Sequence, residues 1–362
     1  MWCASFGRRG ARKVVYGKTK HEVREKLFAI QLEMQQRHLR TDRVPTVAEF
    51  LEYWLNQSVK PRVRPLTYAG YAVNVRKHLV PALGTIRLDR LTPQHVQEMM
   101  NNRLAAGFSA KTVRYVHQVL RTALGVARRW ELVDRNVATL VDPPRVKRPQ
   151  IRPLEPDGAR RFLDSVRGDR LEALYSVALA IGLRQGEALG LRWQDVDLDA
   201  GVLSVRHQLQ RVSTKLTLVE PKTERSRRTL VMPPSIVERL REHAKRQLAE
   251  KLWAGSKWVD HDLVFANRIG APMQATKVIA DFHKALEVAG LPRIRFHDLR
   301  HSCATLLLVQ GVSPRVVMDI LGHSEIAMTM DTYSHVVPEL QREAADKMES
   351  VLSRPRNPER DR

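Results

Sequence analysis

The feature that most constrains this chain is a succession of apolar stripes at helical spacing, each opened by a helix-start signal. Pro45-Thr46 precedes Val47, Phe50, Leu51, Trp54 and Leu55, which fall on one face of a helix. Leu66 to about Leu79 follows, with Thr67 near its start. Thr92-Pro93-Gln94 precedes Val96, Met99 and Met100, and Ser109 precedes Val113, Val116, Leu120, Leu124 and Ala127. A strand would need alternation instead, so residues 45 to 148 are expected to form an α-helical bundle. Its end is marked by a Pro-rich, basic segment over 142–149, read as a linker.

Period-2 alternation is confined to two places. Trp2–Phe6 and Lys13–Tyr16 flank a Gly/Arg-rich turn and predict a β-hairpin. Thr19 with Glu22 has the capping-box pattern and opens a helix bearing Val23, Leu27, Ile30 and Met34. Between Gly201 and Val231, the runs VLSV, LTL and RTLVM predict a short antiparallel sheet. Helices are expected from Glu155 to about Val166, from Leu171 to Gly182, and again after Pro233. The last, Pro338 to Leu352, carries Leu340, Ala344, Met348 and Val351 at helical spacing. The fold class is therefore mainly α with a small antiparallel β-sheet (α+β). Three regions are expected: 1–44, a hairpin plus helix; 45–148, helical; and 149–362, mixed.

Charge narrows the function. The chain carries 61 Lys+Arg against 39 Asp+Glu, a formal +22 at pH 7. Such an excess points to a polyanionic partner, nucleic acid or an acidic membrane surface. It is unevenly spread: the first 44 residues hold 11 basic and 4 acidic side chains, residues 45–148 hold 17 and 7, and residues 149–362 hold 33 and 28. The longest apolar candidate for a span, Leu174–Leu183, is too short and contains Tyr, Ser and Gly, so no membrane partner is expected. The start has no apolar signal-peptide core, and Cys3 and Cys303 cannot build a disulfide framework. A soluble, cytoplasmic protein is expected.

Four boxes carry candidate chemistry. They are Gly182-Leu183-Arg184-Gln185-Gly186-Glu187, Pro221-Lys222-Thr223, His297-Asp298-Leu299-Arg300-His301, and Leu321-Gly322-His323-Ser324 continued by Thr332-Tyr333-Ser334-His335. On a helix His297 and Arg300 share a face, with His301 one turn on. The His pair resembles a zinc HExxH motif, but Asp298 and Leu299 replace its Glu and neighbour, and no third ligand is evident. Taken singly, each residue has an ordinary reading. Arg184 beside Glu187 is an ion-pair partner, Lys222 stands among Arg225, Arg227 and Arg228, any of which could touch phosphate, and Tyr333 packs at a helix end.

In this order the boxes resemble those of the tyrosine recombinases, the phage-integrase family. The family's sequence of Arg, Lys, His-x-x-Arg, His and Tyr is met throughout the last 200 or so residues, and GLRQGEALGLRW, HDLRHSCAT, LGHS and DTYSHV are close to its usual wording. The resemblance implies a metal- and ATP-independent DNA strand transferase with no cofactor. Tyr333 would be the nucleophile, forming a 3′-phosphotyrosyl link and releasing a 5′-hydroxyl. Arg184 and Arg300 would clamp the phosphate and His323 would donate to it. Planar guanidinium forks suit developing phosphorane charge, and fixed donors of this kind are typically worth ~3–4 kcal/mol each. His297 would be the base, with His301 behind it, and Lys222 the general acid on a mobile hairpin.

The resemblance extends to the helical region, similar to the family's core-binding domain, which forms a clamp on duplex DNA with the catalytic domain. Arg62, Arg64, Arg76, Lys77, Lys111, Arg114 and Arg121 are its phosphate-contact candidates. Residues 1–44 look like an arm-binding domain with two strands where the family has three. The family further implies a homotetramer on its DNA attachment sites, built by exchange of the C-terminal helix, with a host DNA-bending protein and an excisionase as further partners on the bacterial nucleoid. The expected function is integration and excision of a phage or mobile element through a Holliday junction. Alternatives are a chromosomal dimer-resolving recombinase, a catalytically inactive DNA-binding regulator, a type IB topoisomerase and a metal-dependent nuclease.

Overall fold

The computed structural model describes residues 2–6, 13–17, 19, 21–26, 44–146, 152–212, 215–221, 226–322, 345 and 348. The expected positions Leu27, Ile30, Met34, Lys222, His323, Tyr333, Leu340, Ala344 and Val351 lie outside the described residues. The chain is mostly helical with small antiparallel sheets. It divides into two compact units, Met1–Lys147 and Arg148–Arg362.

In the first unit, β1 (Trp2–Phe6) pairs antiparallel with β2 (Lys13–Gly17), in register from Trp2↔Gly17 to Phe6↔Lys13. The Thr19 hydroxyl accepts from the Glu22 amide at 3.2 Å and opens helical residues 21–26. Helix α1 (Val47–Trp54) begins at a full capping box: the Thr46 hydroxyl accepts from the Glu49 amide, and the Glu49 carboxylate accepts from the Thr46 amide at 2.7 Å. Helix α2 starts at Pro65, one residue before the expected Leu66, because Pro65 has its φ preset for a first helical position and needs no amide partner there. It spans Pro65–Asn74 and runs on through Val75–Leu79 and Val80–Leu83. Leu55–Val59 and Val75–Leu79 are wide π-turns, each just before a proline, Pro61 and Pro81, that cannot donate back into an α-helical ladder. Helices α3 (Pro93–Ala105) and α4 (Ala110–Arg129) follow, the latter capped by the Ser109 hydroxyl. The predicted stripes meet in one core, where Val47, Phe50, Leu51, Trp54, Val96, Met99, Val113, Val116 and Leu120 are buried.

The second unit holds α5 (Pro156–Ser165), α6 (Glu172–Ile181), α7 (Gln185–Leu189), α8 (Pro234–Ala254), α9 (Ala275–Val288), α10 (Phe296–Val309) and α11 (Pro314–Leu321). Its strands are β3 (Val196–Asp197), β4 (Val202–Val205), β5 (Gln208–Val212), β6 (Lys215–Val219) and β7 (Arg228–Val231). The single sheet expected between Gly201 and Val231 is instead two pieces, a three-stranded sheet β3-β4-β7 and a separate hairpin β5-β6, all antiparallel. Strand β5 was not among the expected runs, because only Leu209 is buried in it and the alternation is too weak to read.

Helix α6 is buried almost all round, which is why the longest apolar run sits there; among the described residues no helix is long and apolar enough to cross a membrane. Its Tyr175 joins Phe162, Phe282 and Phe296 in an aromatic cluster with centroids 5.5–6.4 Å apart, tying α5, α6, α9 and α10 together.

Two glycines let the backbone pass where the candidate site is built. Gly182 ends α6 in the left-handed region at φ 68°, and a Cβ there would lie 2.6 Å from Leu321 Cδ2. At Gly190 a Cβ would lie 2.6 Å from the Leu209 backbone nitrogen, so α7 rests directly on β5. Gly182→Ala combines left-handed strain with overpacking and should cost about 2–4 kcal/mol. Urea unfolding checks this, and a midpoint unchanged from the parent would contradict it.

Candidate active site

The described part of the site is organised by the last turn of α11. A helix leaves its final carbonyls without intrahelical partners and partially negative. Here three consecutive ones accept from three arginines. Ile320 O accepts from Arg228 Nε at 2.7 Å, Leu321 O from Arg300 Nη2 at 2.5 Å, and Gly322 O from Arg184 Nη2 at 3.3 Å. Arg300, on α10, is 2 % exposed and also donates to Gly182 O at 2.8 Å. Arg184 follows the Gly182 turn and caps α7, and its side chain remains 35 % exposed.

Glu187 is the carboxylate within this group. It is buried, accepts from the Arg184 amide at 3.0 Å and from Arg184 Nη1 at 2.6 Å, and pairs with Arg228 Nη2 at 3.1 Å. Burial alone would raise its pKa, but the charges of Arg228 and Arg184 outweigh that and hold it below the usual carboxylate value. The ion-pair reading of Arg184 is thus realised, and its guanidinium is held through Nη1 by Glu187 and through Nη2 by Gly322 O while the side chain stays partly exposed.

His297 and His301 lie on α10 with ring centroids 4.9 Å apart, edge to face. Asp298 turns the other way and fixes the helix start by accepting from the Arg295 amide at 2.8 Å and from its guanidinium. The His297 ring reaches solvent, yet crowding by protein disfavours its charged form, and Arg300's charge adds to this, so its pKa lies below the ordinary value. His301 is pushed down to about 4 by desolvation and by the neighbouring His297. Both imidazoles are neutral at pH 7. Among the described residues, no group of three or more His, Cys, Asp or Glu side chains is placed to hold a metal ion.

Residues 153–339 match the model of the phage integrase family, and residues 46–104 match that of the phage integrase N-terminal SAM-like domain. A tyrosine recombinase XerC-like protein of Caldanaerobacter subterraneus subsp. tengcongensis is 31% identical, over 94% of this chain and 92% of its own. An integrase of Saccharopolyspora erythraea is 28% identical, over 94% and 90%. The chain belongs to the phage integrase family. It is a site-specific recombinase of the tyrosine type. In fold it is similar to the Tn1549 transposon integrase in complex with transposon right end DNA (TM-score 0.69, 23% identity, 83% of this chain and 99% of that one). It is also similar to a lambda integrase dimer bound to a core site (TM-score 0.58, 19% identity, 78% and 97%).

Of the recombinase's expected site residues, Arg184, His297 and Arg300 are brought together. His297 lies within electrostatic reach of both arginines. The candidates Arg62, Arg64, Arg76, Lys77, Lys111, Arg114 and Arg121 are all exposed on the first unit. Arg76 is already engaged there, through paired bonds of 2.8 and 3.0 Å to Glu52. Two residues have more part in the site than the sequence suggested. Glu187, expected only as the ion-pair partner of Arg184, also binds Arg228. Arg228, expected as a cation that could touch phosphate, is instead buried on protein acceptors, as the alternation of β7 implies by putting it on the same face as buried Leu230.

Because His301 protonates near 4 in the folded recombinase and near 6.5 when unfolded, the unfolded chain binds more protons between those values. Stability is therefore fully present above about pH 6.5 and lost as pH falls toward 4, by on the order of 2–3 kcal/mol from this residue. His301→Gln should flatten the slope of unfolding free energy against pH in that window. Urea titrations at pH 7 and pH 5 that lose equal stability in parent and variant would contradict it.

Proposed function

We propose that the recombinase integrates and excises a phage or other integrative element by cutting DNA with Tyr333. Its phenolic oxygen attacks the scissile phosphorus as its proton passes to His297. The bond from phosphorus to the 5′-oxygen breaks, and Lys222 protonates that oxygen. The 3′-phosphotyrosyl bond keeps the energy needed for rejoining, so a partner strand's 5′-hydroxyl reverses the step, first to a Holliday junction and then to recombinant duplexes. The observation that carries this reading is the convergence of Arg300 and Arg184 beside neutral His297, a cationic cradle with an available proton acceptor.

Double-stranded attachment-site DNA is the proposed partner. The solved neighbours described as bound to transposon DNA and to a core site support this, as does the basic excess in the first 148 residues. The seven exposed cations of the first unit are proposed to contact phosphates, with residues 1–44 touching a second, arm-type site. A homotetramer is proposed through the helix expected at Pro338 to Leu352; Met348 within that stretch is 56 % exposed. A host DNA-bending protein and an excisionase complete the proposed assembly.

On a nicked duplex copied from an end of the element carrying the gene, the parent should trap a covalent adduct and Tyr333→Phe should not. A normal amount of adduct from Tyr333→Phe would sink this assignment. The adduct rate should hold steady from pH 8 to about 6.5 and fall only as pH drops below the ordinary imidazole range, since the base form of His297 persists there. His297→Gln should be slow throughout and lack that fall; a rate already declining between pH 8 and 7 would argue against His297 as the base.

A further inference from the structure

We propose that Arg228 is a positioning residue for strand cleavage, bracing three segments of the active site without touching DNA. Each of its side-chain nitrogens already has a protein acceptor. Nε donates to Ile320 O at 2.7 Å, Nη1 to Ser226 O at 3.2 Å, and Nη2 to Glu187 at 3.1 Å. The side chain is 7 % exposed, against 35 % for Arg184, so a phosphate can reach Arg184 but is shielded from Arg228. Its backbone is equally fixed: Arg228 faces Val205 and Leu230 faces Leu203 in the β4–β7 ladder, and both leucines are core residues.

The acceptors belong to parts of the chain that must be aligned for the reaction. Ser226 closes the segment that carries Lys222. Glu187 holds Arg184. Ile320 lies in the last turn of α11, two residues before Gly322 and the stretch that leads to His323 and Tyr333. A planar fork with donors at fixed angles can serve all three at once; an ammonium on a flexible stem cannot. Arg228 therefore sets the distance between the Arg184 guanidinium and the end of α11. A misplacement of about 1 Å in such geometry can cost on the order of a hundredfold in rate.

This inference rests on reading Arg184 and the residues after Gly322 as cleavage machinery, so the parent protein is assayed alongside. Full-length Arg228→Lys and Arg228→Gln are compared with the parent on the nicked element-end duplex, measuring duplex Kd, single-turnover adduct rate at saturating protein, and melting temperature. The expected result is a Kd within about twofold of the parent and an adduct rate lower by roughly tenfold for Lys and up to a hundredfold for Gln. Parent-like rates in both variants would overturn the brace. So would a loss of affinity as large as the loss of rate, which would make Arg228 a DNA contact. Variants with no folded protein at the assay temperature would make it a residue of general stability instead. Absence of adduct from the parent would overturn the proposed function, and the brace with it.

Discussion

Three guanidinium groups on three successive carbonyls, Ile320, Leu321 and Gly322, are the constraint on which the catalytic unit depends. The arginines come from β7, from α10 and from the turn after α6, elements far apart in sequence. A bond from a charged donor to a carbonyl is worth roughly 1.5–3 kcal/mol where a neutral one gives about 1. The helix end supplies acceptors that would otherwise be orphaned, and the arginines supply the charge its dipole favours. The glycines follow from the same requirement. Gly182 must expose its own carbonyl to Arg300 while letting Leu321 pack against it, and a side chain there would push the two segments apart.

How much of this was legible in the sequence depended on the range of the interactions. The helices of the first unit were readable because their signals are local: Thr46 with Glu49, Ser109 with Thr112, and stripes repeating every three or four residues. Pro65 shifted one boundary because a proline's preference for the first turn overrode the Thr67 signal. The sheet region was read less well. Strand β5 has one buried residue and packs through glycines on α7, a tertiary fact with no period to reveal it. One expected sheet became two pieces because β7 pairs with β4 across the intervening β5–β6 hairpin.

The site was legible in another way. Arg184, His297 and Arg300 were identified by the order and wording of their boxes rather than by any geometric rule. That kind of reading gives Glu187 and Arg228 only ordinary roles, an ion-pair partner and one cation among several, because the bond between them joins α7 to β7 and looks like nothing in one dimension. The single-residue reading of Arg184 as a partner of Glu187 and the catalytic reading are compatible: Glu187 and Gly322 O hold the fork, and the side chain still keeps 35 % of its surface exposed.

The charge distribution now divides the work physically. The first 148 residues carry 28 basic and 11 acidic side chains, an excess whose attraction to a polyanion is long-ranged and screened by salt. Among the described residues of the second unit many cations are matched locally: Arg170 with Glu250, Arg192 with Asp195, Arg239 with Glu172, Arg295 with Asp298. At the end of α11 the balance differs, since Arg184 and Arg228 share the single carboxylate of Glu187, with Arg300 close by on helix-end carbonyls. A buried surplus of positive charge raises the energy of the site, because like charges repel more strongly where water is excluded. Helix carbonyls relieve part of that cost, and a phosphate diester arriving beside Arg184 would relieve more. The same local imbalance that makes the site expensive to fold therefore favours an anion beside it, and under the proposed reaction most of all one that gains charge as it reacts.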